Sequence, residues 1–287
     1  MDRPLTAPYV AVVTGASSGI GEATARRLAR EPGVSLVLVA RREARLRSLA
    51  DELGGATVVA VDLTDDDAPA RVAEVVEREH GALHLLVNNA GARWPGHFGD
   101  EGGWENLKRH MEVNFDAQAR LTEALLPLLR RTAAAASSGA GGSAPAVSVV
   151  NVSSTSARVS RANAGAYSAS KFALAGWSDA LYLEERRHGV HVGLVLPGFV
   201  ATEGFPQSEL LAQAATRWAV SRPEVVAEAI LDAGPGGKPE RYVPRFYWLA
   251  AAGRILIPRL IRRATGGGGL MTPATRPGDE AEQVGKR

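Results

Sequence analysis

Cysteine is absent from all 287 residues, which excludes disulfides and thiolate-held metals and leaves the redox environment open. Lysine is scarce, four of the 33 basic residues, and the rest of the positive charge is arginine. A net charge of +2 is too small for a chain whose business is the nucleic-acid backbone. No apolar run nears the ~18 residues that cross a bilayer. The opening Met1-Asp2-Arg3-Pro4-Leu5 has no apolar signal core. From these absences we expect a cytoplasmic globular protein that binds no metal and no nucleic acid. At 45% apolar residues it can still bury a sizeable core.

What is present is alternation. Apolar strands at 9–13, 35–39, 57–61, 83–87, 147–152 and 190–196 are separated by helical stretches, and a last strand falls at 241–243. Runs that are apolar throughout suit parallel strands covered on both faces. The pattern predicts the α/β class: a doubly wound parallel sheet (Rossmann fold) of about seven strands with helices on both faces. Residues 1–245 read as a single domain. A long helical region covers 104–131, and the Ala/Ser/Gly tract 132–146 reads as a surface loop. A helical segment at 203–221 lies beyond a strand end, where a substrate lid or ordinary packing would both fit. The Gly-, Pro- and charge-rich tail 266–287 reads as disordered.

The chemistry-bearing residues follow the strand ends. After the first strand come Gly15, Gly19 and Gly21, spaced G-x-x-x-G-x-G, with Ser17, Ser18 and Ile20 between them. Strand, glycine-rich turn and helix together aim backbone N–H groups and a helix N-terminus at a phosphate. The second strand ends in Ala40-Arg41-Arg42. An acid here would hold a ribose 2′-hydroxyl, whereas arginine suits a 2′-phosphate, so the pattern favours NADP(H) over NAD(H). The plainer alternative is that both arginines simply open the next helix. Asp62 ends the third strand, where an adenine contact and turn chemistry are equally open. Asn88 and Asn89 end the fourth, as braces or as cleft residues.

Tyr167 and Lys171 stand four apart, hence on one face of a helix. An ammonium beside a phenol favours the phenolate, lowering a pKa that is ordinarily ~10. Such a tyrosine can exchange a proton with a carbonyl or alcohol oxygen. Ser154, thirteen residues upstream at the end of a strand, can return to the same place. By itself this pair is also what a solvated helix surface looks like.

The C-terminal stretch 241–263 carries six arginines and no acid, with Phe246, Tyr247, Trp248, Leu249, Ile255, Leu256, Ile257, Leu260 and Ile261 between them. We read 246–265 as a basic amphipathic element broken at Pro258. It could rest on an anionic membrane surface, deliver a lipophilic substrate, or pack on the body or on another subunit.

Taken in order, Thr14-Gly15-x-x-x-Gly19-x-Gly21, Asp62, Asn88-Asn89-Ala90-Gly91, Asn114, Ser154, Tyr167-x-x-x-Lys171 and Pro197-Gly198 resemble the short-chain dehydrogenase/reductase family in its compact single-domain branch, over residues 8–245. The resemblance implies a catalytic tetrad of Asn114, Ser154, Tyr167 and Lys171. Ser154 is preferred to Ser153 because it keeps the family's distance to the tyrosine. Cofactor contacts are implied for Gly15, Ser17, Ser18, Gly19, Ile20, Gly21, Arg41, Arg42, Asp62, Leu63, Asn89, Ala90, Gly91, Tyr167, Lys171, Pro197, Gly198, Val200 and Thr202.

In the implied mechanism Ser154 and Tyr167 hydrogen-bond a substrate carbonyl and Tyr167 protonates the alkoxide. Lys171 holds the nicotinamide ribose and depresses the tyrosine pKa, and Asn114 holds a water leading to solvent. The implied activity is an NADP(H)-dependent interconversion of a carbonyl and a secondary alcohol, run as a reductase of a lipophilic ketone or aldehyde by a homodimer or homotetramer. Trp94, Phe98, Phe199, Phe205 and Trp218 would make its pocket apolar. A catalytically silent NADP-binding sensor or scaffold is the alternative.

Overall fold

A computed structural model of the chain describes residues 5, 8–137, 145–203, 212 and 217–266. Nine strands are found among them: β1 (Tyr9–Thr14), β2 (Val34–Ala40), β3 (Thr57–Ala60), β4 (Leu85–Asn88), β5 (Val147–Val152), β6 (Val190–Pro197), β7 (Phe199–Val200), β8 (Val220–Ser221) and β9 (Glu240–Val243). Seven form one sheet in the order β3-β2-β1-β4-β5-β6-β9, every pair parallel. Short β7 and β8 pair with each other outside it.

The helices are α1 (Gly19–Leu28), α2 (Glu43–Glu52), α3 (Ala68–His80), α4 (Gly103–Met111), α5 (Ala117–Ser137), α6 (Gly165–Glu185), α7 (Pro223–Ala233), α8 (Tyr247–Leu256) and α9 (Pro258–Gly266). Strand side chains alternate between two cores, as a pleated strand requires. On β1, Tyr9, Ala11 and Val13 face a cluster that includes Leu28 of α1, Leu46 of α2 and Ile230 of α7. Val10 and Val12 face the other, with Val72 of α3, Leu121 of α5 and Leu181 of α6. Helices thus cover both faces, and the sheet is the doubly wound one the alternation predicts.

Three expectations need correction or limits. The tract 132–146 is not loop throughout: α5 runs on to Ser137. Alanines propagate a helix well, Ala133 is buried, and Thr132 Oγ1 accepts from the Leu83 amide at 3.0 Å. The rest of that tract through 144 lies outside the described residues, as does most of the expected helix at 203–221. Within that segment the described residue Ala212 is α-helical, whereas its end is not: Arg217–Ala219 is a 3₁₀ turn leading into β8. The tail beyond Gly266 is likewise outside the described residues. Pro258 separates α8 from α9, opening the second helix where its missing N–H costs nothing.

β1 pairs with β2 on one side and with β4 on the other, so connections leave the sheet in opposite directions from this point. A crevice opens outside the strand ends there. Thr14, Ala40, Asn88, Val152 and Pro197 all end strands along this edge.

Candidate active site

The crevice is a cleft of about 940 Å³. Its wall is glycine-cradled under β1. Gly15 adopts φ +65°, and a Cβ there would press on Asn89 and Ala90; a Cβ on Gly21 would strike the Gly15 carbonyl. The turn can therefore hold its close approach only with glycine. Thr14 ties it to the neighbouring strand: its hydroxyl donates to the Val87 carbonyl (3.0 Å) and accepts from the amides of Asn89 (2.9 Å) and Ala90 (3.0 Å). Asn89 Nδ2 returns a bond to the Thr14 carbonyl at 2.9 Å. Asn88, fully buried, donates to Thr122 Oγ1 and Asn151 Oδ1, both at 2.8 Å, and so braces β4 to α5 and β5.

Arg41 and Arg42 leave β2 toward this turn. The Arg42 guanidinium donates to Ser17 Oγ (3.2 Å), the Ser17 carbonyl (3.3 Å) and Ser18 Oγ (2.6 Å), and meets Glu203 at 3.3 Å. Arg41, largely exposed, reaches Asp62 Oδ2 at 3.4 Å. Asp62 Oδ1 accepts from the Thr64 amide (3.1 Å) and hydroxyl (2.8 Å). The turn chemistry open to Asp62 is thus present, in a side chain that also lines the cleft. Burial raises its carboxyl, but the Thr64 bonds and the Arg41 charge outweigh it and hold the pKa below the ordinary value.

Tyr167 and Lys171 lie on α6 facing the cleft beside Ser154. Ser154 is in hydrogen-bond contact with the phenol, while its hydroxyl also approaches the Pro197 carbonyl (3.4 Å) and accepts from the Ser156 amide (3.1 Å). Neighbouring Ser153 turns away and donates to the Lys171 carbonyl (2.9 Å). The Lys171 ammonium, buried, donates to the Val152 carbonyl at 3.0 Å; burial lowers its pKa to about 8.

The expected tyrosine electrostatics are corrected here. Burial pushes the Tyr167 phenol up rather than down. What opposes the rise is the Ser154 hydrogen bond and the charges of Arg93 and Arg161, not Lys171.

Asn114 lies one layer behind the cleft wall, in a π-helical turn (Glu112–Asp116) between α4 and α5. Such turns insert a residue and re-aim a side chain. Asn114 Nδ2 donates to the Ala92 carbonyl and to Ser170 Oγ, each at 3.0 Å, and Oδ1 accepts from the Ala92 amide at 2.8 Å. Every other site residue named from the sequence lines the cleft except Gly21, which is packed beneath the turn. Among the expected pocket aromatics, Trp94 and Phe199 line it. Phe98 and Trp218 are largely exposed outside it, and Phe205 is not among the described residues.

The sequence reading missed His110 and left open where the C-terminal element packs. His110 is fully buried; its Nε2 accepts from the Trp94 amide (3.0 Å), so the proton sits on Nδ1 and is given to the Asn106 carbonyl (2.7 Å). Burial lowers its pKa, keeping this ring neutral. Edge contacts link Trp94, His110 and Tyr167, with centroids 5.0 and 6.1 Å apart. The roof is the C-terminal element: Tyr247, Ala250, Ala251, Ile261 and Thr265 of α8 and α9 line the cleft. Tyr247 lies against Gly198 and donates to the Ala219 carbonyl at 3.3 Å.

A glycine-cradled crevice at the switch point of a parallel sheet, with a phenol, a hydroxyl and an ammonium on its far wall, defines a dinucleotide-binding α/β enzyme. Residues 9–210 match the family model described as short chain dehydrogenase, and the chain belongs to that family. It is 36% identical over 236 residues to the cis-4-hydroxycyclohexanecarboxylate dehydrogenase of Sinomonas cyclohexanicum, covering 78% of this chain and 88% of that one. Among solved structures, a short-chain dehydrogenase from Streptomyces avermitilis superposes with a TM-score of 0.72 at 30% identity, covering 90% of this chain and 96% of the other. One from Burkholderia cenocepacia, in complex with NADP, superposes with a TM-score of 0.75 at 24% identity over 94% and 100% of the two chains, a likeness of fold. The protein is an oxidoreductase acting between CH–OH and C=O groups, in a family that uses NAD(P).

Proposed function

We propose that this protein is an NADP(H)-dependent ketoreductase in which Ser154 and Tyr167 hold a carbonyl oxygen and Tyr167 gives it a proton. The observation that carries the proposal is the meeting of Ser154, Tyr167 and Lys171 on one wall, opposite a turn that a Cβ would close. The chain's residues fit a nicotinamide dinucleotide, which when bound supplies the hydride. Ser154 and the Tyr167 hydroxyl are donors placed for a developing alkoxide. Lys171, with a pKa near neutrality, can replenish the phenol's proton. Asn114 acts by position, tying the 90–92 segment to α6. Residues 8–245 would carry cofactor and chemistry, and 246–265 would close the substrate side.

NADP is preferred because Arg41 and Arg42 converge where an acid would otherwise select NAD. Trp94, Phe199, Tyr247, Ala250 and Ile261 supply an apolar wall, which suits a lipophilic carbonyl compound. Tyr167→Phe should abolish NADPH oxidation against a ketone panel with cofactor affinity nearly intact; retained turnover would remove the assignment. Arg41→Ala should weaken NADPH binding much more than NADH binding, and equal effects would remove the 2′-phosphate role.

A second reading concerns surfaces. Trp248, Leu249, Ile255, Leu256, Ile257 and Leu260 stand exposed on the roof among Arg254, Arg259, Arg262 and Arg263, which suits an anionic bilayer surface. Salt-sensitive sedimentation with anionic vesicles would support this, and no binding would remove it. Exposed Phe172 and Leu183 on α6 suit a homodimer or homotetramer, which light scattering on the purified protein decides.

A further inference from the structure

Residues 92–96 follow β4 outside the sheet, and Ala92 and Trp94 among them line the cleft. Their backbone groups are taken up by side chains instead of by a neighbouring strand. Asn106, His110 and Asn114 stand four apart along α4 and the π-helical turn, so they form one stripe. Asn114 grips both the amide and the carbonyl of Ala92. His110 Nε2 accepts from the Trp94 amide at 3.0 Å, and Asn106 Nδ2 donates to the Trp94 carbonyl at 3.4 Å. The Gly96 amide then reaches the Asn163 carbonyl at 3.4 Å. Alternate residues are thus fastened, much as a sheet ladder would fasten them.

His110 is the part of this stripe that meets the chemistry. Fully buried behind the cleft wall, its ring touches Trp94 on one hand and Tyr167 on the other, both edge-on. Its Nδ1 proton is committed to the Asn106 carbonyl at 2.7 Å, which fixes the tautomer and leaves Nε2 bare for the Trp94 amide. The Arg109 guanidinium lies over the Trp94 indole, 4.5 Å from its centroid, so α4 holds both the peptide and the ring of Trp94. Packing alone would accept any apolar ring at position 110. What calls for an imidazole is a ring and a hydrogen-bond acceptor at the same place.

We propose that His110 is a positioning residue for the reaction: it fixes the Trp94 peptide, and with it the spacing between the substrate-side wall and the Tyr167 phenol. It acts through Trp94, from behind the wall. The inference deepens the ketoreductase reading of the same cleft and rests on it for the chemistry. The substrate such a wall suits carries an apolar ring to one side of its carbonyl, laid against Trp94 while Tyr167 holds the oxygen.

The test compares methyl ketones with and without a terminal phenyl group, beginning with 4-phenylbutan-2-one beside butan-2-one. The readout is the ratio of their kcat/KM values with NADPH, which does not depend on how much of a variant is folded. His110→Phe keeps an aromatic ring but removes the acceptor, leaving the Trp94 amide unpaired. It should lower the wild-type ratio about tenfold, inside the ~100-fold loss that a displacement of about 1 Å can cause. His110→Gln, whose amide oxygen can take the same hydrogen, should restore most of the ratio. Trp94→Ala should lower it at least as far, and adding His110→Phe to that variant should change nothing more.

A His110 that served only the fold would lower Tm in the Phe variant and leave the ratio unchanged, and an unchanged or raised ratio overturns the proposal. A Gln variant as poor as Phe overturns it too, by placing the effect in packing, as does a double variant whose losses add. In each of these cases turnover by the wild type leaves the ketoreductase reading standing. No turnover of any ketone by the wild type removes that reading and the positioning role together.

Discussion

Thr14→Val keeps the shape of a buried side chain and removes its hydroxyl, so its cost can be worked bond by bond. Three hydrogen bonds vanish: to the Val87 carbonyl, and from the Asn89 and Ala90 amides. Two of the three partners have a second outlet, because the Asn89 amide also donates to the Val87 carbonyl at 3.1 Å. The Ala90 amide is the group left without a partner. One orphaned amide plus two lost but substitutable bonds comes to about 2–3 kcal/mol. With an unfolding entropy of about 2 cal/mol/K per residue, a chain of this size loses about 3–5 °C in Tm.

The natural control is Thr24→Val, since the Thr24 hydroxyl donates only to the Ile20 carbonyl one turn back (2.7 Å), which the helix already uses. That change should cost under about 1 kcal/mol. Calorimetry of both variants, with NADPH titration of each, is the assay. Thr14→Val should also weaken NADPH several-fold, because Ala90 lines the cleft beside the turn. Equal Tm shifts for the two variants would refute the view that Thr14 is the tie between the turn and β4.

Two further predictions follow from buried charges. Burial holds Lys171 at about 8 against 10.5 in the unfolded chain, so below pH 8 both states are protonated and the fold carries the whole desolvation cost. Between those values the unfolded chain binds the proton the fold has shed, so the stability of the wild type relative to Lys171→Met should rise by up to about 3 kcal/mol. Urea melts across that range measure it, and a flat or falling difference would contradict the burial argument. Glu185, its carboxylate almost wholly buried, is gripped by Arg130 through bonds of 2.8 and 2.5 Å that hold its pKa below the ordinary value. Arg130→Ala should cost about 3–5 kcal/mol at neutral pH. The loss should shrink as pH falls below about 4.5, where the unfolded chain's Glu185 takes up a proton that the paired carboxyl of the wild type resists, so the pair's contribution is lost there; a loss that grows on acidification would refute this.

The strands were legible because parallel strands covered on both faces must be apolar along their whole length, and β1, β2 and β5 are buried almost end to end. Tyr167 and Lys171 were legible because a helix fixes their spacing. What the helix does not fix is where the long side chains go. Proximity on α6 suggested that the ammonium would set the phenol's pKa, yet Lys171 reaches across to the Val152 carbonyl, nineteen residues away in sequence.

The groups that do bear on Tyr167 arrive from elsewhere: Arg93 from the segment after β4, Arg161 from the segment before α6, His110 from α4. Arg93 and Arg161 lie in segments that follow strand ends, where the sequence already points to pocket residues, but nothing local marks His110 or shows that the three meet, since their convergence is a property of strand order. The roof shows the same limit from the other side. Amphipathicity at 246–265 announced an apolar face, but α8 and α9 present two, one lining the cleft through Ala250 and Ile261 and one turned outward through Trp248 and Ile255. A single moment along a helix cannot distinguish a surface that covers a site from one that awaits a partner, and here the same short element has both.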